Sequence, residues 1–126
     1  RGLVRGLLGE LLGCDPRAVP FAYLPSGKPF VDAPGAPHFN LTHTDGVAVL
    51  AVANRRVGVD VERVRTVLNA AGLVKRYFSH AECAAFAALD EAVRPAAFFR
   101  GWTCKEAVVK AAGATVSCLA EFDVCL

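Results

Sequence analysis

The amino-acid sequence predicts an α+β domain, and three observations carry the prediction. Leu3, Leu7, Leu8, Leu11 and Leu12 recur at helical spacing near the start. Phe39–His43 and Val47–Ala53 read as two strands around Asp45-Gly46, a hairpin signal. Further on, Ser79-His80-Ala81-Glu82 and Pro95 mark the starts of two helices, the second closed by Gly113. The order is helix, strands, helices, with a last strand expected at Phe122–Cys125.

Each element has a local cause. The leucine face ends at Gly13, a residue suited to a helix C-terminus. Asp15 can cap and Pro16 fits the first position of a short turn or helix. Phe21–Leu24 reads as a strand, Pro25 to Pro29 as a turn, and Phe30-Val31 as a short strand. Residues 32–37 hold Pro34, Gly35 and Pro37 and read as loop. Val57–Glu62 is expected as another strand, and Val67–Tyr77 as a helix. The helix from Ser79 is expected to reach about Leu89, and the one from Pro95 to reach Ala112.

Composition narrows the function classes. The 126 residues are one domain's worth of chain, and 54% are hydrophobic, which favours a folded protein. A net charge of +2 argues against a strongly basic nucleic-acid binder. No apolar run approaches a membrane span, so a cytoplasmic protein without membrane attachment is expected. The five cysteines have no zinc-ligand spacing and read as small buried hydrophobes in a reducing compartment. No Gly-x-Gly-x-x-Gly, Walker-type or Gly-x-Ser-x-Gly motif occurs. The chain contains no methionine, and we expect it to be part of a longer one.

The chemistry concentrates in two blocks. In Gly58-Val59-Asp60-Val61-Glu62, strand alternation sends Asp60 and Glu62 to one face and the valines to the core. In Trp102 to Lys110, helical spacing puts Trp102, Glu106 and Lys110 on one stripe. If the stripe faces the strand, three carboxylates converge beside an amine. Hard cations such as Mg²⁺ are held by a few carboxylates together with substrate phosphates. Blander readings fit the same residues. Asp60 and Glu62 suit a solvent-facing edge strand, and Glu106 with Lys110 an ordinary i,i+4 surface pair. Lys105 points away from the stripe and reads equally as a solvated neighbour, while Trp102 reads as packing.

Taken in order, five blocks resemble the 4′-phosphopantetheinyl transferases of the larger, surfactin-synthetase-activating type. They are Gly27-Lys28-Pro29, Phe39 to Thr44, Gly58 to Glu62, Phe78-Ser79, and Trp102 to Lys110. The resemblance runs from Leu3 to about Val124. It implies a pseudo-twofold, two-lobed fold, incomplete here, with lobes of about 1–53 and 57–126 joined at Asn54–Arg56. It implies transfer of 4′-phosphopantetheine from coenzyme A to a serine of an acyl or peptidyl carrier protein, releasing 3′,5′-ADP.

The resemblance also assigns residues. Asp60, Glu62 and Glu106 are expected to hold Mg²⁺. Glu106 and Lys110 are expected to act in catalysis, as base and as phosphate-stabilising cation. Lys28, Thr42, His43 and Lys110 are expected to bind coenzyme A, with Lys28 and His43 on one rim at its 3′-phosphate. The sequence departs from the family at Gly113-Ala114-Thr115, where a basic turn is common, and Thr42 stands where serine is commoner. The small holo-acyl-carrier-protein synthases share the last blocks but lack those at Lys28 and Phe39–His43. Other readings are a non-catalytic relative that binds coenzyme A or a carrier protein, and an unrelated Mg²⁺-dependent phosphoesterase.

Overall fold

The computed structural model describes residues 2–126. Helix α1 (Gly2–Leu12) is amphipathic, and Leu8 is its deepest side chain, fully buried against Val19, Val31 and Phe39. Gly13 ends it in the left-handed region, at φ 65°. Asp15 then caps a short 3₁₀ turn, Pro16–Ala18, by accepting from the Arg17 amide. Strands β1 (Phe21–Tyr23) and β2 (Pro29–Val31) form a small antiparallel hairpin. Gly27 turns it at φ 82°, a conformation that L side chains resist.

Strands β3 (His38–Thr44) and β4 (Val47–Ala53) form the expected second hairpin, with Asp45-Gly46 as its two-residue loop. Alternation along β3 divides its faces. Phe39 joins the core under α1, while Asn40 and Thr42 are buried on the other side.

Three helices follow: α2 (Ala70–Tyr77), α3 (His80–Ala87) and α4 (Arg94–Ala112). The expected capping box starts α3, with Ser79 and Glu82 exchanging bonds. Gly113 closes α4 at φ 72°. A second core lies here, built from Val74, Phe78, Phe86, Ala97, Phe98 and Phe99. Trp102 packs on it, stacked on Phe98 at 5.8 Å and edge-on to Tyr77 at 5.6 Å, so it positions the helix as expected.

Two expected strands do not form, for one shared reason. Residues 57–62 are irregular, and side chains take the place of a neighbouring strand. The Val59 amide donates to Asn40 Oδ1 at 2.8 Å, and the Val57 carbonyl accepts from Lys28 Nζ at 2.9 Å. Residues 122–125 behave likewise: the Phe122 carbonyl accepts from Lys105 and the Val124 amide donates to Glu82. Backbone polar groups need partners, and here side chains supply them. A 3₁₀ segment, Val116–Glu121, leads into that tail and buries Leu119.

Lys105 is not solvated. It is fully buried and pairs with Glu82 at 2.8 Å, tying α4 to the start of α3. All five cysteines are free, and none is fully buried; Cys104 and Cys125 are exposed. Among the described residues no helix is long and apolar enough to cross a membrane.

Candidate functional site

The site forms where residues 57–62 pass between β3 and α4. Close approach is the local cause. A Cβ on Gly58 would stand 1.9 Å from the Ala107 carbonyl oxygen, so the segment lies directly on the helix backbone. From the other side, Asn40 holds the Val59 amide. Asp60 is thereby delivered between Thr42 and Lys110.

Asp60 Oδ1 accepts from Lys110 Nζ at 2.6 Å and from Thr42 Oγ1 at 3.0 Å. Its side chain is only 6% exposed. Oδ2 is buried with no partner. Such an orphan is costly unless something else satisfies it.

Glu106 stands one turn before Lys110 on α4, half-buried. Loss of hydration pushes its carboxyl above the ordinary glutamate range. Lys110 opposes that shift, while Asp60 and Glu62 reinforce it by like charge. The four ionisable groups therefore share one electrostatic neighbourhood. Glu62 is the loosest member, paired with exposed Arg65 at 3.5 Å. Among the described residues no three His, Cys, Asp or Glu side chains form a ready-made metal cluster.

The other predicted residues are placed differently. Lys28 does not point freely into solvent. Its ammonium donates to the carbonyls of Val57, at 2.9 Å, and Lys110, at 2.5 Å. Burial, with Arg56 nearby, lowers its proton affinity. His43 is exposed, on the face of β3 opposite Thr42. Lys28, Lys110 and Asn40 line a cavity of about 230 Å³ with Ser26, Gly27, Gly113 and Ala114. Asn40, which accepts from the Val59 amide and lines this cavity, is a residue that sequence reasoning passed over. The available signal was the alternation along β3, which puts Asn40 on the same face as Thr42.

Residues 56–126 match the model of the 4′-phosphopantetheinyl transferase superfamily. The chain is 37% identical over 130 residues to 4′-phosphopantetheinyl transferase HetI of Nostoc sp., covering 100% of this chain and 55% of that protein. It is 38% identical over 121 residues to AcpT of Salmonella typhimurium, covering 94% and 61%. It is 28% identical over 116 residues to Sfp of Bacillus subtilis, covering 91% and 50%. The chain belongs to the 4′-phosphopantetheinyl transferase superfamily. It spans about half the length of the curated relatives it matches.

Proposed function

We propose that the protein transfers 4′-phosphopantetheine from coenzyme A to a serine of an acyl or peptidyl carrier protein, releasing 3′,5′-ADP in a Mg²⁺-dependent reaction. The observation that carries this reading is the half-satisfied Asp60, with Oδ1 on Lys110 and Oδ2 buried and free. An unpartnered carboxylate oxygen that shares an electrostatic neighbourhood with two further carboxylates suits a hard cation, which would draw the three together from positions that form no cluster without it. Asp60, Glu62 and Glu106 are the residues that would hold the ion. Bound there, it neutralises charge on the pyrophosphate.

The chain's own residues do the remaining work. The carrier serine Oγ attacks the phosphorus nearest the pantetheine. Its bond forms as the bond from that phosphorus to the 3′,5′-ADP oxygen breaks, and the hydroxyl proton passes to Glu106. Lys110 stabilises charge on the leaving phosphate. Thr42 and Lys28, on the Lys110 side of β3, are the proposed contacts for coenzyme A phosphate there, and His43, on the opposite face of the strand, would contact the 3′-phosphate separately. Two donors of Lys28 hold carbonyls. An ammonium has three, so one is left for a phosphate. The two separate hydrophobic cores support a division into lobes of about 1–53 and 57–126.

The test is intact-mass analysis of an apo carrier protein incubated with this chain, coenzyme A and Mg²⁺. A mass gain of one phosphopantetheinyl group, absent under chelation, is expected. An unmodified carrier alongside measurable coenzyme A binding identifies a non-catalytic relative instead.

A further inference from the structure

Residues 57–62 carry Asp60 yet have no neighbouring strand to hold them. Something must fix the direction in which Asp60 leaves the backbone, because one of its oxygens is bonded and the other is not. The side chain of Asn40 occupies that role geometrically. It is 6% exposed, it sits on the β3 face that looks at the segment, and its Oδ1 accepts from the amide immediately before Asp60 at 2.8 Å. Two positions on, along the same face, Thr42 Oγ1 meets Asp60 Oδ1 at 3.0 Å. On the opposite side Gly58 lies directly against the α4 backbone, which leaves no room for a shift toward the helix. The segment is thus held from both sides by groups that do not themselves reach the free Asp60 oxygen.

We infer that Asn40 is a positioning residue for Asp60: its amide oxygen stands in for the missing strand pairing and sets the carboxylate so that Oδ2 stays free for a cation. This rests on the metal reading above. Groups that orient a metal-binding side chain commonly matter about 10–100-fold in metal affinity. Asparagine suits the position because its oxygen reaches the amide without adding a charge beside Asp60. Alanine removes the acceptor, whereas aspartate keeps it and adds like charge.

Two measurements on the full chain test this. One is amide hydrogen exchange at Val59 by NMR, with no metal present. The other is Mn²⁺ titration followed by the loss of the free-ion EPR signal. Asn40→Ala is expected to speed Val59 exchange at least tenfold and to weaken Mn²⁺ binding about 10-fold or more. Asn40→Asp is expected to restore protected exchange, and a merely destabilised fold would not show that rescue at one amide. If Asn40→Ala is unfolded, Asn40→Asp and Asn40→Ser against the parent carry the same comparison, with serine too short to reach. Unchanged Val59 exchange, or Mn²⁺ affinity within twofold of the parent while Asp60→Ala abolishes it, overturns the role of Asn40. A parent that takes up no Mn²⁺ overturns the metal reading and the inference with it, whatever the exchange shows.

Discussion

Lys110 Nζ sits 2.6 Å from Asp60 Oδ1, joining α4 to a segment 50 positions earlier. The two partners are unequally buried: the Lys110 side chain is 30% exposed and that of Asp60 6%. Water can therefore reach the ammonium if its partner is lost, but not the carboxylate. Lys110→Ala strands a buried charge whose second oxygen is already unpartnered. Asp60→Ala frees a lysine that turns outward. We expect Lys110→Ala to destabilise by about 1–3 kcal/mol and Asp60→Ala by less, in urea unfolding near neutral pH. The reverse order would show that Asp60 is better hydrated than its burial indicates.

Glu106→Gln is expected to abolish transfer with the fold intact. The amide keeps the shape of the side chain but cannot accept the serine proton or bind a cation strongly. Transfer by the variant within a few-fold of the parent, in the carrier mass assay, would show that Glu106 is only part of the helix surface.

The same residue predicts a slope in stability. Burial raises its proton affinity in the folded chain, with Lys110 opposing and Asp60 and Glu62 adding to the rise. The folded state thus binds the proton more tightly than the unfolded state. Stability from this group is fully present at and below the unfolded glutamate range and is lost as pH rises through the folded value. In Glu106→Gln that loss is absent. Unfolding free energies across mildly acidic pH should therefore fall for the parent relative to the variant. Parallel curves would mean that Glu106 titrates as a free glutamate.

Lys105 and Glu82 form the most enclosed ion pair, with Lys105 0% and Glu82 3% exposed. Glu82 also accepts from the amides of Ser79 and Val124. Lys105→Met leaves a buried carboxylate without its cation, a change that commonly costs about 3–5 kcal/mol. Residues 122–126 should loosen with it, since Lys105 also holds the Phe122 carbonyl. A lowered Tm with faster proteolysis of the tail is expected, and a tail as resistant as the parent's would remove Lys105 from that role.

Local chemistry explains what was legible in the sequence. Asp45-Gly46, the Ser79–Glu82 capping box and Gly113 each specify a conformation within a few residues, and each formed as read. The alternating pattern of Val57–Glu62 was legible as extended chain but not as unpaired chain. Whether a strand has a neighbour is decided by residues far away, here Lys28 and Asn40. The tail at Phe122–Cys125 failed for the same reason. Lys105 was misleading because lysine is rarely buried without a partner. Its partner stands 23 positions earlier, inside a capping box that already accounted for it. At the site, helical periodicity brought out the Glu106–Lys110 stripe, whereas the strand alternation behind the Asp60 face did not hold: residues 57–62 are irregular, and Val59 and Val61 are only partly buried and outside both cores. The contact between the stripe and Asp60 depends on the fit of Gly58 to α4, which no short-range pattern encodes.

That fit gives the sharpest prediction. A Cβ on Gly58 would meet the Ala107 carbonyl oxygen at 1.9 Å and the Ala111 amide nitrogen at 2.4 Å. Both are helix backbone atoms, which cannot rotate aside as a flexible side chain can. Gly58→Ala must therefore push residues 57–60 off the helix or bend α4, an overpacking cost of about 1–3 kcal/mol or more. Moving the segment stretches the Asp60–Lys110 and Asn40–Val59 bonds together, so activity should fall further than stability does. Gly6→Ala is the control. Gly6 lies inside α1 with nothing within 4 Å of an added Cβ. Alanine there favours the helix by about 0.5–1 kcal/mol. The paired measurement is Tm and carrier modification for both variants. A Gly58→Ala protein with parental Tm and parental transfer would show that the segment does not lie against α4 in solution, and the geometry that brings Asp60 to Lys110 would fail with it.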